Sequence, residues 1–194
     1  MTTALLDSIQ QRYACRQFVA QRGVSSDELK LIQEAGRLAP SAFGLEPWRF
    51  FAVPDSQRAA VAEACYQQPA VTSAAELIAI TALVAVLDPD SDYVRARFVA
   101  EARDGEIEPI YAAYRAHYHV DSIAEWARGQ CNFAAAHMLL QATHIGLDSC
   151  PVGGFDADML TRALALPAGE CPALLIALGH CSYEAPERVR KPLE

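Results

Sequence analysis

The chain has 194 residues, 52% of them hydrophobic, which is enough to bury the core of one domain over 1–194 and argues against disorder. A formal net charge of −8 and a pI near 5.1 argue against nucleic acid and anionic membrane surfaces as partners, since both select clustered Lys and Arg, and the basic residues here are scattered. The longest apolar run, Leu77 to Leu87, is much shorter than the ~20 residues a membrane-spanning helix needs.

Leu5, Leu6 and Ile9 recur at helical spacing and predict a first helix ending near Arg12. A second helix begins at Ser25, where Ser25-x-x-Glu28 has the form of a capping box. Leu29, Ile32 and Leu38 form its apolar face, and Pro40 stops it. Phe50 to Val53 reads as a strand cut off by Pro54, followed by an alanine-rich helix from Asp55 to Tyr66. Leu77 to Leu87 is apolar on both faces, as expected of a central strand covered on both sides, and Asp88-Pro89-Asp90 ends it. Residues 91–118 are charged and aromatic and predict helices joined by a mobile link at Asp104-Gly105. From Ile123 to Ile145 a long helix is small and apolar nearly all round, which means burial on more than one side and suits the centre of a dimer. Gly146 stands at its C-cap, a Pro151–Gly154 loop follows, Asp156 can cap a short helix to Leu164, and Cys171 to Leu178 is a final buried strand. Interleaved helices and strands with a helix majority point to an α+β sandwich around a mixed sheet.

Six cysteines (15, 65, 131, 150, 171 and 181) show no CxxC pair and no regular framework, and Met1-Thr2-Thr3 lacks a basic stretch followed by an apolar one. A cytoplasmic protein with reduced thiols is the simpler expectation. His117, His119, His144 and His180 lack the HxxxH spacing that would put two ligands on one helix face, so no metal is expected.

Four segments fall in a telling order: Arg12-Tyr13-Ala14-Cys15-Arg16, Ala39-Pro40-Ser41-Ala42-Phe43-Gly44-Leu45-Glu46-Pro47-Trp48-Arg49-Phe50, Cys150-Pro151-Val152-Gly153-Gly154-Phe155-Asp156 and Arg188-Val189-Arg190-Lys191-Pro192. Together they resemble the flavin-dependent nitroreductase family over nearly the whole chain. The resemblance implies a nitroreductase-like α/β sandwich, its mixed, mostly antiparallel sheet surrounded by helices, in an intertwined homodimer with FMN at the interface. It further implies an FMN-dependent NAD(P)H oxidoreductase: NAD(P)H passes hydride to flavin N5 and leaves, and a nitroaromatic, quinone or similar electron-poor acceptor then takes its place, a ping-pong scheme. Flavoenzymes of the same fold also carry out reductive dehalogenation or flavin destruction. A non-enzymatic flavin-binding protein is a further alternative.

By the same resemblance, Arg12 and Arg16 supply cations to the flavin phosphate and the electron-rich pyrimidine edge, with Tyr13 and Ala14 between them, and Arg188 and Arg190 complete the phosphate site. Guanidinium forks suit phosphate because they donate two parallel charged hydrogen bonds; an isolated arginine would more often be a solvated surface charge. Pro40, Ser41, Ala42 and Gly44 lie in the loop that reaches the flavin bound mainly by the other subunit, and Gln67 stands where relatives face the pyrimidine with Asn. The next expected cation is missing at Ala70. Relatives usually carry Asn at Gly44 and Gln at Glu46; Glu46 brings a negative charge near the site or is buried with a cationic partner such as Arg49. Trp48 is expected to be core.

Pro151, Val152, Gly153 and Gly154 bring backbone close to the ring, glycine having no side chain to collide. Gly153 N–H is the expected donor to N5, and no side chain is assigned as a catalytic acid or base. Phe43, Tyr111 and Tyr114 are expected to contact substrate, with His117 in the same lid segment, although an aromatic stripe at helical spacing is more often core.

Overall fold

The computed structural model describes residues 3–20, 22–102 and 105–192. The link expected at Asp104-Gly105 begins outside the described residues. Helix α1 (Ala4–Gln11) is capped by the Thr3 hydroxyl, which accepts the Leu6 N–H. Helix α2 (Ser26–Arg37) carries the expected reciprocal box: Ser25 Oγ accepts the Glu28 N–H at 3.2 Å, and Glu28 Oε2 accepts the Ser25 N–H at 2.7 Å. Strand β1 (Trp48–Ala52), helix α3 (Asp55–Ala64), one turn of helix α4 (Pro69–Thr72) and strand β2 (Glu76–Leu83) follow. Then come α5 (Asp92–Ala102), α6 (Glu108–His117), α7 (Ile123–His144), strand β3 (Asp148–Val152), α8 (Ala157–Ala163) and strand β4 (Glu170–Gly179). Gly146 takes φ +82° just past α7, and the Asp156 carboxylate caps α8 by accepting the Met159 N–H at 2.8 Å, both as expected from the sequence.

The four strands lie in the order β1-β2-β4-β3, and every ladder is antiparallel. Residues 14–18 extend this frame through a parallel bridge from Ala14 to Ser149 and an antiparallel bridge from Phe18 to Cys181. Period-two alternation sorts the central strands onto two cores. Ile78, Ile80, Leu174 and Ile176 face the cluster built with α2, α5, α6 and α7, whereas Leu77, Ala79, Leu175 and Ala177 face the one built with α3, α4 and α8. A sheet covered on both faces explains why β2 and β4 read as continuous apolar runs.

The sequence expectations need correcting at three points. The run Leu77–Leu87 is not all strand: β2 stops at Leu83, because the Val84 and Ala85 N–H groups turn to the Gly169 carbonyl (2.8 and 3.0 Å) and Ala85–Leu87 closes into a 3₁₀ turn. Pro151 and Val152 belong to β3 rather than to a loop, which an edge strand allows since proline's missing donor breaks no further ladder. The thiols are not all reduced: Cys15 and Cys181 form a disulfide across 166 residues, with Cα atoms 5.8 Å apart, leaving Cys65, Cys131, Cys150 and Cys171 free. No pattern in the sequence relates two cysteines so far apart; the bridge between Phe18 and Cys181 brings them together.

Candidate functional site

The segment after α1 and the chain beyond β4 fold against each other and leave a cleft of about 800 Å³ between them. Arg12, Tyr13, Ala14 and Arg16 line one wall, and Arg188 and Arg190 line the other. Residues 176 positions apart thus meet, as the resemblance implied, held by Arg188 Nη2 donating to the carbonyls of Gln10 (2.9 Å) and Arg12. The Arg16 N–H donates to Tyr183 Oη at 2.6 Å, and the Tyr183 and Tyr13 rings lie 6.4 Å apart.

Positive charge is in excess in this cleft, where the four arginines share the lining with two carboxylates, Asp148 and Glu187. Among the described residues none of Arg12, Arg16, Arg188 and Arg190 takes part in an ion pair. Arg12 Nη1 is buried without a hydrogen-bond partner, an expensive arrangement for a charged donor in the protein alone. Burial, then the neighbouring Arg188 and Arg190 charges, lower the Arg12 pKa below its ordinary value. Burial and the Asp148 carboxylate push the Tyr13 phenol up to about 12, so it stays protonated. Four guanidiniums gathered without a carboxylate partner suit a phosphate, and the donor set therefore fits the phosphate end of FMN.

Strand β3 leads away from this cleft. Asp148 lines the cleft, and from there to Val152 the strand covers about 13 Å, ending at exposed Gly153 and Gly154. A Cβ added at Gly153 would meet nothing within 4 Å, and the residue has no positive φ, so packing within the chain does not require glycine there. Close approach of a ligand would. Gln68, which the sequence reading missed, fixes this end: its Nε2 donates to the Gly154 carbonyl at 2.6 Å and to that of Cys65 at 3.0 Å. Gln67 is exposed in a turn with φ +53°, and Ala70 is buried.

The loop of Pro40, Ser41, Ala42, Phe43 and Gly44 does not line the cleft. Its backbone is left-handed at Phe43 (φ +58°), Gly44 (φ +62°) and Glu46 (φ +42°). The Ala42 N–H donates to Gln130 Oε1 on α7 at 2.9 Å, and the Glu46 N–H to Ser41 Oγ at 2.8 Å. Glu46 does have a cationic partner, but it is Arg97 on α5 and not Arg49, which pairs instead with Glu170 at 2.7 Å across the sheet. Trp48 is core, 8% exposed and stacked on Phe50.

Two expected substrate contacts are core residues. Tyr114 is wholly buried and donates to the Leu87 carbonyl at 2.6 Å, and Tyr111 is 6% exposed with its ring edge-on to Phe98 at 4.9 Å. Helix α6 turns this aromatic stripe inward, onto Phe98 and the Leu87 carbonyl. Phe43 is half-buried, 5.3 Å from the Tyr114 ring and 5.6 Å from that of His117.

The sequence model of the nitroreductase family matches residues 9–180. A provisionally named NAD(P)H nitroreductase of Staphylococcus haemolyticus is 29% identical over 210 residues, covering 100% of this chain and 96% of the relative. One of Staphylococcus saprophyticus is 30% identical over 207 residues, covering 98% and 94%. Among solved structures, a provisionally assigned nitroreductase of Exiguobacterium sibiricum in complex with FMN superposes with a TM-score of 0.81 at 22% identity, covering 99% of this chain and 95% of that one. A gut-bacterial enone reductase of fatty acid saturation superposes with a TM-score of 0.78 at 27% identity, covering 97% and 94%. The family model takes in the Arg12–Arg16 wall and all four strands, well over half of the chain, and the chain belongs to the nitroreductase family.

Proposed function

We propose that the chain is an FMN-dependent NAD(P)H oxidoreductase that reduces electron-poor acceptors such as nitroaromatics or quinones by ping-pong turnover. The observation that carries this reading is the cluster of Arg12, Arg16, Arg188 and Arg190, none of them in an ion pair among the described residues, with one Arg12 guanidinium nitrogen buried and unpartnered. Arg12, Arg188 and Arg190 would hold the phosphate, Arg16 would face the pyrimidine edge, and the Pro151–Gly154 backbone, fixed by Gln68, would lie along the ring with Gly153 N–H as its donor. FMN, when bound, would supply the hydride chemistry between NAD(P)H and the acceptor. The chain's own part is positioning and charge: Arg16 favours negative charge on the pyrimidine edge, and no side chain is required as a general acid or base.

The active unit in this reading is a homodimer of single-domain subunits. Leu5, Leu31 and Leu38 stand 62%, 51% and 63% exposed and border, with Leu140, a groove of about 620 Å³ between α1, α2 and α7, an apolar area of the kind a second copy covers. No helix among the described residues is long and apolar enough to cross a membrane. The likeness to an enone reductase at 27% identity adds conjugated enones to the acceptors worth assaying. Titration of the apoprotein with FMN and with riboflavin tests the site: tight FMN binding and much weaker riboflavin binding are expected, and equal affinity for the two would refute the phosphate assignment. Product analysis after NAD(P)H addition separates acceptor reduction from dehalogenation and flavin destruction, and a merely flavin-binding protein would hold FMN that NAD(P)H does not reduce.

A further inference from the structure

We propose that Arg97 is the positioning residue of the Ser41–Glu46 loop, and that the face of α5 carrying Tyr93, Arg97 and Glu101 sets how this loop meets the electron acceptor. The inference rests on the oxidoreductase reading above, with the loop reaching the flavin held mainly by the other subunit as the resemblance implies.

The three residues stand at i, i+4 and i+8 and therefore share one face of α5. That face would ordinarily be solvated, but here its polar atoms are directed at the loop backbone. Arg97 Nε donates to the Gly44 carbonyl at 2.8 Å, and its Nη2 binds Glu46 Oε1. One turn earlier, Tyr93 Oη donates to the carbonyls of Leu45 (2.7 Å) and Glu46 (3.1 Å). One turn later, Glu101 comes so near that a Cβ built on Gly44 would lie 2.9 Å from its Oε2. Gly44 takes φ +62°, the conformation that favours glycine.

Left-handed backbone at Phe43, Gly44 and Glu46 persists only where surroundings over-determine it. Three consecutive carbonyls, those of Gly44, Leu45 and Glu46, are each held by α5, and the ion pair holds the Glu46 side chain as well. Among the described residues Arg97 alone hydrogen-bonds both the backbone and a side chain of the loop from outside it. Its planar fork makes the two contacts in one geometry, whereas a lysine ammonium could keep the charge attraction but not both directions. The loop remains partly exposed, with Ala42 outward and Phe43 half-buried, so its shape is presented to the surface rather than lost in the core.

Amide hydrogen exchange of the apoprotein reads the clamp without any cofactor. In Arg97→Ala the Gly44 and Glu46 amides should exchange at least about tenfold faster than in the parent, with Arg97→Lys recovering part of the protection. Tyr93→Phe, which keeps the ring, should accelerate the same amides and serves if Arg97→Ala does not fold. In the FMN-loaded protein, Arg97→Ala should raise the acceptor KM about fivefold or more with kcat within about twofold, again partly rescued by Arg97→Lys. Unchanged exchange in both Arg97→Ala and Tyr93→Phe overturns the clamp. Faster exchange with an unmoved acceptor KM overturns its role toward the acceptor. Should the parent chain fail to bind FMN, the oxidoreductase reading falls while the exchange comparison still decides the clamp.

Discussion

Arg12 offers a test in which stability and binding should move in opposite directions. Its Nη1 is buried with no partner, and Arg188 and Arg190 repel it, so in the apoprotein the charge is a burden. Arg12→Met keeps most of the apolar stem and removes the charge. A charged donor left unsatisfied costs about 1–3 kcal/mol, and because the side chain is only partly buried the lower end applies. The apoprotein should therefore gain about 1 kcal/mol, which for a chain of this size is a rise in Tm of about 2–4 °C. FMN binding should weaken, since a hydrogen bond to a charged group contributes about 1.5–3 kcal/mol, or roughly a tenfold to hundredfold rise in Kd. Riboflavin, which has no phosphate, should bind the variant and the parent about equally. Thermal melts of the apoprotein and fluorescence titrations with both flavins provide the three readings. A less stable apoprotein, or equal losses for FMN and riboflavin, would refute the assignment of Arg12 to a phosphate.

Gly153→Ala should leave Tm within about 1 °C, because the new methyl meets no protein atom within 4 Å, yet weaken FMN binding where the ring must approach the backbone. Tyr114→Phe should cost about 1–3 kcal/mol by stranding the buried Leu87 carbonyl, seen as a lower denaturation midpoint, while the acceptor KM stays as in the parent; a shifted KM would return Tyr114 to the substrate site. Reducing the Cys15–Cys181 disulfide should raise the titratable thiols of the unfolded chain from four to six and lower stability by about 2–4 kcal/mol, given the long loop it closes. In the folded chain Cys65, pushed up from 9.0 to about 11 by burial, should resist alkylation at pH 8 and react faster as pH rises toward 11, because only the thiolate attacks; partly exposed Cys171 should label first.

Local chemistry made much of the fold legible. The Ser25-x-x-Glu28 box, Gly146 and Asp156 each announce themselves within a few residues, the all-round apolar run of α7 within its own length, and each lies where expected. Strand β3 is disguised by Pro151, which only an edge position excuses, and β2 ends at Leu83 because of a distant carbonyl, that of Gly169. For the site, the motifs named Arg12, Arg16, Arg188 and Arg190, and the fold brings all four to one cleft. What they did not name depends on contacts between remote segments. Arg97 lies in a charged helix with no motif, Gln68 sits one residue beyond the position that the resemblance singled out, and Tyr111 and Tyr114 look like ligand contacts until α6 turns them inward. The pairing of Cys15 with Cys181 likewise leaves no trace in spacing.

The most direct test is an anaerobic visible spectrum of the protein purified and supplied with FMN, recorded before and after NADH and then NADPH. The account predicts a bound flavin band that bleaches with at least one of the two and returns when a quinone or nitroaromatic is added. Bound FMN that neither nicotinamide bleaches would contradict the enzymatic reading, and a chain that retains no FMN would contradict the assignment of the arginine cleft itself.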